Sequence, residues 1–418
     1  MTTPVNLVHD TVYRRTRSAI MSAFHDIDDA VSRLGRARMR IVFEAASPLS
    51  LTVFRPVFDC LSRDPRLEFW FTTADRAWDN HRLFGAAGIR RRVIPTARLR
   101  WMKFDCYINT DFWNMTWLPR RSRRVHLFHG VAGKYGLDAP VRIAPVVASF
   151  DRVLFPNDDR LRRYVEAGLM DGTGARGALV GYPKADCLVD GSLDRAAIQR
   201  ALDLDPALPT VLYAPTWSPD SSLNAMGDEV IGRLTELDAN VIVKLHDRSL
   251  DHTERGSGGI DWYRRLKSIR QRRRISVAQA ADVSPYLFVS DALVTDHSSV
   301  GFEFTLLDRP IVVIDCPELV RKARINPEKV ALLHSASEVV SRASDVPDAC
   351  LRGLDRPRAL SAQRCAIANK LFYRPGTATE RASRCIYDVL ELPAPEHLPT
   401  RHARSWTETC SAITGTGV

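Results

Sequence analysis

Short, unbroken apolar runs recur along the chain, separated by polar turns and by stretches whose apolar residues fall three or four positions apart. In the first half the runs are Ile41–Ala46, Glu68–Thr72, Val93–Ile94, Phe104–Asn109, Val125–Phe128, Val153–Pro156 and Ala178–Val180. In the second half they are Thr210–Ala214, Asn240–Leu245, Ala292–Thr295 and Ile311–Asp315. Continuous rather than alternating apolar residues mark strands covered on both faces, as in a parallel sheet. Between them, helical spacing predicts helices at Ser50–Ser62, Trp78–Ala87, Asp158–Ala167, Ala225–Leu237, Val283–Val289 and Val300–Leu307. Two more are predicted near the end, at Ser361–Asn369 and Ala378–Leu390. Strands alternating with helices predict an α/β protein with two doubly wound halves. A proline-marked break at Asp205–Pro209 separates them. The predicted division is a basic helical segment over 1–39, a first Rossmann-like domain over 40–195, a second over 196–392, and a polar tail over 393–418.

The ends of these strands carry the polar residues that matter. In open α/β sheets ligands bind outside the strand carboxyl ends. Asp296-His297-Ser298-Ser299 lies between a strand and a helix, where serines either cap the helix or offer hydroxyls and free N–H groups to an anion. His129-Gly130 follows Val125–Phe128, Pro215-Thr216 follows Thr210–Ala214, and Lys244 with His246-Asp247 closes Asn240–Leu245. Taken singly, each has a plain structural reading as a cap, a turn or a core histidine.

Composition narrows the partners. At 418 residues, 45% hydrophobic and 26% charged, the chain has an ordinary globular make-up and the length of two domains. Fifty-nine Lys and Arg against 49 Asp and Glu give a net charge of +10, which suits an anionic partner such as a nucleotide or an anionic lipid surface. Basic residues concentrate around the predicted helix Thr11–Met39 and in the acid-free run Arg264, Arg265, Lys267, Arg270, Arg272, Arg273, Arg274. The first is amphipathic and suits a membrane surface, although Asp26, Asp28 and Asp29 interrupt its charge. The second reads equally as a solvated helix face or as a contact for anionic lipid or a polyanionic acceptor. Nucleic acid is disfavoured: the arginine runs lack interleaved aromatics and no nucleic-acid fold motif is present. No apolar run reaches the length of a membrane span, and the N-terminus lacks a secretory pattern. The eight cysteines form no CxxC pair and fit reduced thiols of a cytosolic protein. No HExxH or paired-carboxylate spacing predicts a metal site, and a magnesium ion accompanying a pyrophosphate would leave no motif.

Taken together, the strand-end motifs resemble those of the CDP-glycerol glycerophosphotransferases, the teichoic-acid primases and polymerases of GT-B-type fold. The resemblance rests on His129-Gly130 with Lys134 and Asp138, Gly181-Tyr182-Pro183 with Asp186, and Tyr213-Ala214-Pro215-Thr216-Trp217. It continues through Lys244-Leu245-His246, Ser290-Asp291, Thr295-Asp296-His297-Ser298-Ser299, Phe302-Glu303-Phe304, Arg309-Pro310 and Arg381. These span roughly residues 120 to 390, while 1–119 match only as an N-terminal α/β half. Four of the motifs depart from the family pattern. His246 is followed by Asp247 rather than proline, His297 stands for tyrosine, Glu303 for aspartate, and Val131-Ala132 for Thr-Pro.

The resemblance implies two Rossmann-type domains facing a central cleft and a transfer of glycerol phosphate from CDP-glycerol, or another CDP-polyol, with release of CMP. The acceptor it implies is a hydroxyl of a lipid-linked saccharide or surface polymer, reached by a cytoplasmic enzyme at the inner face of the membrane. His129 is then the candidate base and His246 a catalytic partner at the pyrophosphate. Gly130, Lys134, Pro215, Thr216, Lys244, Asp296, Ser298, Ser299 and Glu303 fall to donor binding. Within that set, Asp296 is expected to orient His246 or the serine turn, Lys244 or Lys134 to add charge, and Glu303 to accept from a sugar or glycerol hydroxyl. Other GT-B activities stay open at this stage: a glycosyltransferase or a nucleotide-sugar 2-epimerase using a UDP-sugar. So does a non-catalytic basic protein that binds membrane or polyanion.

Overall fold

A computed structural model describes residues 38–398 except 76–78, 113–117, 119–121, 134–139, 173, 254–255 and 270–273, together with 19–31 except 21, 25, 28 and 29. Its first sheet holds β1 (Met39–Glu44), β2 (Leu67–Thr72), β3 (Cys106–Asn109), β4 (Arg123–Leu127), β5 (Arg152–Phe155) and β6 (Gly177–Leu179). The second holds β7 (Thr210–Tyr213), β8 (Asn240–Val243), β9 (Ile275–Val277), β10 (Ala292–Thr295), β11 (Ile311–Ile314) and β12 (Glu338–Val340). The orders are β2-β1-β3-β4-β5-β6 and β12-β11-β10-β7-β8-β9. Every pairing is parallel. The second order is the dinucleotide-binding one, and the first is flavodoxin-like. The fold class is α/β, two Rossmann-type doubly wound sheets.

Burial explains why the apolar runs were readable. In β3, β7, β8, β10 and β11 every residue is buried, so these strands carry no polar alternation. β9 and β12 were not predicted; both are three-residue outer strands, Ile-Ser-Val and Glu-Val-Val, too short and too mixed to stand out. Val93–Ile94 contributes a single bridge from Val93 to Phe71 rather than a strand.

The two halves are joined by buried polar contacts. Asn157 Nδ2 donates to the Leu371 carbonyl at 2.8 Å, and Lys329 Nζ stands 2.9 Å from Asp159 Oδ2. Helix Ala378–Val389, which the sequence division grouped with the second domain, packs on the first-half helix Pro48–Leu61. Asp186 of the first half fixes its start, accepting from the backbone N–H of Gly376, Ala378 and Thr379 at 2.8, 3.0 and 2.7 Å. Gly181 is required there. Its φ is +93° and a Cβ would fall 2.5 Å from the Tyr373 carbonyl oxygen.

Candidate active site

In each sheet the chain reverses its direction of winding once, between β1 and β3 and between β7 and β10. These switch points open crevices at the strand carboxyl ends. In both, an aspartate laces the flanking loops together.

In the first sheet that residue is Asp111, just beyond β3. Its Oδ2 accepts from Thr110 Oγ1 at 2.9 Å and from Ser50 Oγ, across the switch, at 3.3 Å. Its Oδ1 lies 3.1 Å from His129 Nδ1, which is also 2.9 Å from the Thr110 carbonyl oxygen. Two acceptors around Nδ1 place the proton there and leave the Nε2 lone pair available. The His129 side chain is 52% exposed, so that lone pair is within reach of a substrate. Burial of the ring edge works to lower its pKa, but the hydrogen bond and charge of Asp111 outweigh this and raise it. Asp111 itself is drawn below the usual carboxylate range by the His129 hydrogen bond, against the effect of its own burial.

Behind the dyad lies a buried polar network. Glu44, the last residue of β1, accepts a short hydrogen bond from the Tyr107 hydroxyl. Asn109 Nδ2 donates to that hydroxyl at 3.0 Å, and Asn109 Oδ1 meets His126 Nδ1 at 3.0 Å. Burial, assisted by the charge of Asp111, pushes the Glu44 carboxyl up to about 7. Burial keeps His126 neutral, its ring stacked on Phe112 with centroids 4.0 Å apart. Gly130 beside His129 presents its carbonyl to Arg160 Nη1 at 2.9 Å, and the guanidinium lies 4.1 Å above the Phe128 ring. Lys134 lies outside the described residues.

In the second sheet the lacing aspartate is Asp296, fully buried at the end of β10. Oδ1 accepts from the Thr216 N–H at 2.8 Å; Oδ2 accepts from Ser222 N–H and Oγ at 3.1 and 3.0 Å. The expectation that Asp296 orients His246 or the serines is therefore corrected. Its oxygens face the loop after β7 because that loop, with Pro215 and Thr216, crosses the switch directly opposite. His246 follows β8. Its Nδ1 accepts from the Arg248 N–H at 3.1 Å, so in the neutral ring the proton sits on Nε2 and that atom is a donor. His129 and His246 thus carry opposite tautomers.

Lys244 differs from expectation as well. It is buried, its ammonium donates to the Leu245 carbonyl at 2.6 Å, and burial lowers its pKa. Ser298 is half-buried and Ser299 exposed at the head of the one-turn helix Val300–Phe304, where Ser299 makes no side-chain cap. Glu303 is buried and paired with Lys184, a first-half residue. Burial disfavours the Lys184 ammonium, but Glu303 and Asp282 hold its pKa above the ordinary value. Lys184 thus takes up the carboxylate that the sequence assigned to a sugar hydroxyl. This pair joins the two sheet edges: Lys184 follows Tyr182, whose hydroxyl donates to the His129 carbonyl at 3.2 Å, and Glu303 follows the serine turn.

Sequence reasoning missed Asp111, Glu44 and Lys184. Asp111 was open to the same strand-end rule that selected His129, since it follows Phe104–Asn109. Glu44 and Lys184 gave no signal beyond their residue type, because burial and cross-domain pairing define them.

The family model for CDP-Glycerol:Poly(glycerophosphate) glycerophosphotransferase matches residues 101–316, a stretch holding Asp111, His129, Thr216, His246 and the serine turn. A teichoic acid poly(glycerol phosphate) polymerase of Staphylococcus epidermidis is 27% identical over 140 residues, 31% of this chain and 18% of that protein. A teichoic acid glycerol-phosphate transferase of Staphylococcus aureus is 26% identical over 141 residues, 31% of this chain and 33% of that protein. The matches thus span no more than a third of those curated relatives. Among solved structures, the wall teichoic acid polymerase TagF superposes with a TM-score of 0.64 at 15% identity, covering 93% of this chain and 97% of that one. A UDP-GlcNAc 2-epimerase from Methanocaldococcus jannaschii gives 0.54 at 11% identity, over 84% of this chain and 99% of that one. At such identities both likenesses speak to the fold, and the GT-B-like arrangement is common to them. With a family model matched over more than half its length, the chain belongs to the CDP-glycerol:poly(glycerophosphate) glycerophosphotransferases.

Proposed function

We propose that the protein transfers glycerol phosphate, or a related polyol phosphate, from a CDP-alcohol to a hydroxyl of a surface-polymer or lipid-linked acceptor. The observation that carries this reading is the pairing of an oriented, exposed base, His129 on Asp111, with the donor groups His246, Ser298 and Ser299 at the other sheet's edge. The acceptor oxygen attacks the β-phosphorus of the CDP-alcohol and its proton passes to His129 Nε2. The new P–O bond forms as the bond from that phosphorus to the bridging oxygen breaks, and CMP leaves with the bridging oxygen. Charge grows on the non-bridging and bridging oxygens, where preorganised donors contribute most. The His246 Nε2–H and the two serine hydroxyls supply them. Pro215 and Thr216, held by Asp296, shape the donor side, and Gly130 leaves space beside His129. Where a magnesium ion accompanies the pyrophosphate, it adds to the same charge neutralisation.

One solved form of the wall teichoic acid polymerase was soaked with CDPG, which supports a CDP-alcohol as donor. A peripheral site of action at the cytoplasmic face of the membrane is supported by the described part of the N-terminal helix. Ile20, Phe24, Ile27 and Val31 recur at helical spacing and are 49, 51, 60 and 67% exposed. Among the described residues no helix is long and apolar enough to cross a membrane.

The test is CMP release by the purified protein from CDP-glycerol, with CDP-ribitol and UDP-N-acetylglucosamine in parallel and a lipid-linked acceptor supplied. Release from one CDP-alcohol, lost in His129→Ala and His246→Ala, supports the reading. UDP release or epimerisation of the UDP-sugar refutes it.

A further inference from the structure

Three Lewis-basic side chains with no role in the proposed transfer converge beside the serine turn. His297 follows β10, Asp315 follows β11, and His334 sits in the last turn of helix Pro327–Ser335. One ligand atom from each lies within 4.8 Å of the other two. His297 Nε2, which accepts from the Cys316 N–H at 3.4 Å in a bond the ion would replace, is 3.4 Å from Asp315 Oδ1, and His334 Nε2 is 4.0 Å from the same oxygen. The imidazole centroids are 5.3 Å apart. His334 Nε2 is shut off from solvent and makes no hydrogen bond, an orphaned polar atom aimed at a carboxylate.

We propose that His297, Asp315 and His334 bind a divalent transition-metal ion of the zinc class. Around a tetrahedral zinc with bonds of about 2.0–2.1 Å, ligand atoms stand about 3.4 Å from each other. The His297–Asp315 separation already has that value, the His334–Asp315 separation exceeds it by about 0.6 Å, and all three ligand atoms lie within 4.8 Å of one another. Two neutral imidazoles and one carboxylate give the ligand set a charge of −1, which favours a cation and leaves the site at +1 once a dication is bound. Imidazole nitrogens favour zinc, cobalt or nickel over magnesium and calcium. Three protein ligands leave a fourth position open to water or substrate.

The packing brings the ligands together from three separate elements. Gly301, two residues past the serine turn, leaves room for Leu333: a Cβ there would meet its Cδ1 at 2.9 Å. That close approach sets His334, the next residue, against His297. The ion would therefore tie the Asp296–Ser299 turn to the end of β11 and to helix Pro327–Ser335, holding Ser298 and Ser299 in place.

The test uses the full chain, freed of metal with a chelator and then titrated with zinc by calorimetry and with cobalt by visible absorption. The expected result is one equivalent of zinc and a cobalt spectrum of low-coordinate type. His334→Ala and His297→Tyr should each weaken zinc binding by more than the roughly 10–100-fold that loss of an outer-shell partner costs. Asp315→Asn, which alters no imidazole, serves as a third probe, and melting curves in chelator show whether each variant is folded. Absence of a zinc equivalent in the wild type overturns the proposal, as does undiminished binding in the folded variants. Because binding is read directly, the result is independent of whether the transferase reading holds.

Discussion

Asp111 Oδ1 stands 3.1 Å from His129 Nδ1, on the loop that crosses the winding reversal of the first sheet. This contact fixes the imidazole tautomer, raises its pKa and turns Nε2 outward, three conditions that a strand-end histidine alone does not satisfy.

Replacing His129 with alanine should lower kcat for CMP release by about 10²–10⁴-fold, the usual worth of a general base. Asp111→Asn should keep part of that activity but shift its pH dependence. The base works deprotonated, and the Asp111 charge holds its pKa up, so activity in the wild type falls as pH drops through that raised value. Without the charge the acid limb of kcat/KM moves to lower pH. An unmoved limb with full activity would show that the contact is only structural.

His246 presents a donor where His129 presents a lone pair. A hydrogen bond to a charged group contributes about 1.5–3 kcal/mol, so His246→Ala should reduce kcat/KM for the CDP-alcohol by roughly 10–100-fold. Ser298→Ala should act in the same direction. Steady-state kinetics at saturating acceptor are the check, and wild-type values in both variants would remove this edge from the site.

The Lys184–Glu303 pair is buried between the halves. Glu303→Ala strands a buried ammonium and should destabilise the fold by about 3–5 kcal/mol. Combining Lys184→Met with Glu303→Leu should recover most of that loss, because the double variant leaves no charge unpaired. Urea denaturation of the two single variants and the double variant measures the coupling; strict additivity would contradict it.

Glu44 gives stability a pH dependence of unusual sign for a carboxylate. Its folded pKa, about 7, lies above the ordinary 4.5. Below pH 4.5 both states hold the proton; between 4.5 and 7 only the folded state does, so stability falls as pH rises and levels off above 7. Glu44→Gln removes this loss, and the variant should gain on the order of 3 kcal/mol over wild type between pH 4.5 and 8. Denaturant melts of both proteins at those two pH values decide it. A constant difference would mean that Glu44 ionises in the folded state as it does in water.

The chain's own pattern determined the α/β class, most of the sheet strands and the loops that carry His129, Thr216, His246 and the serine turn. It could do so because a strand buried on both faces must be apolar throughout, and because chemistry on such sheets is confined to the strand ends. Three matters lay with the tertiary structure. Which carboxylate serves which partner depends on the loop opposite, so Asp296 holds Thr216 and Ser222 while Asp111 takes the orienting role. Whether a charged residue meets substrate or pairs inside depends on domain packing, which joins Glu303 to Lys184 across the halves and buries Lys244. The approach of His297, Asp315 and His334 comes from three elements with no local spacing to betray it. Sequence periodicity records burial along one element; contacts between elements are set only when the sheets and helices close on one another.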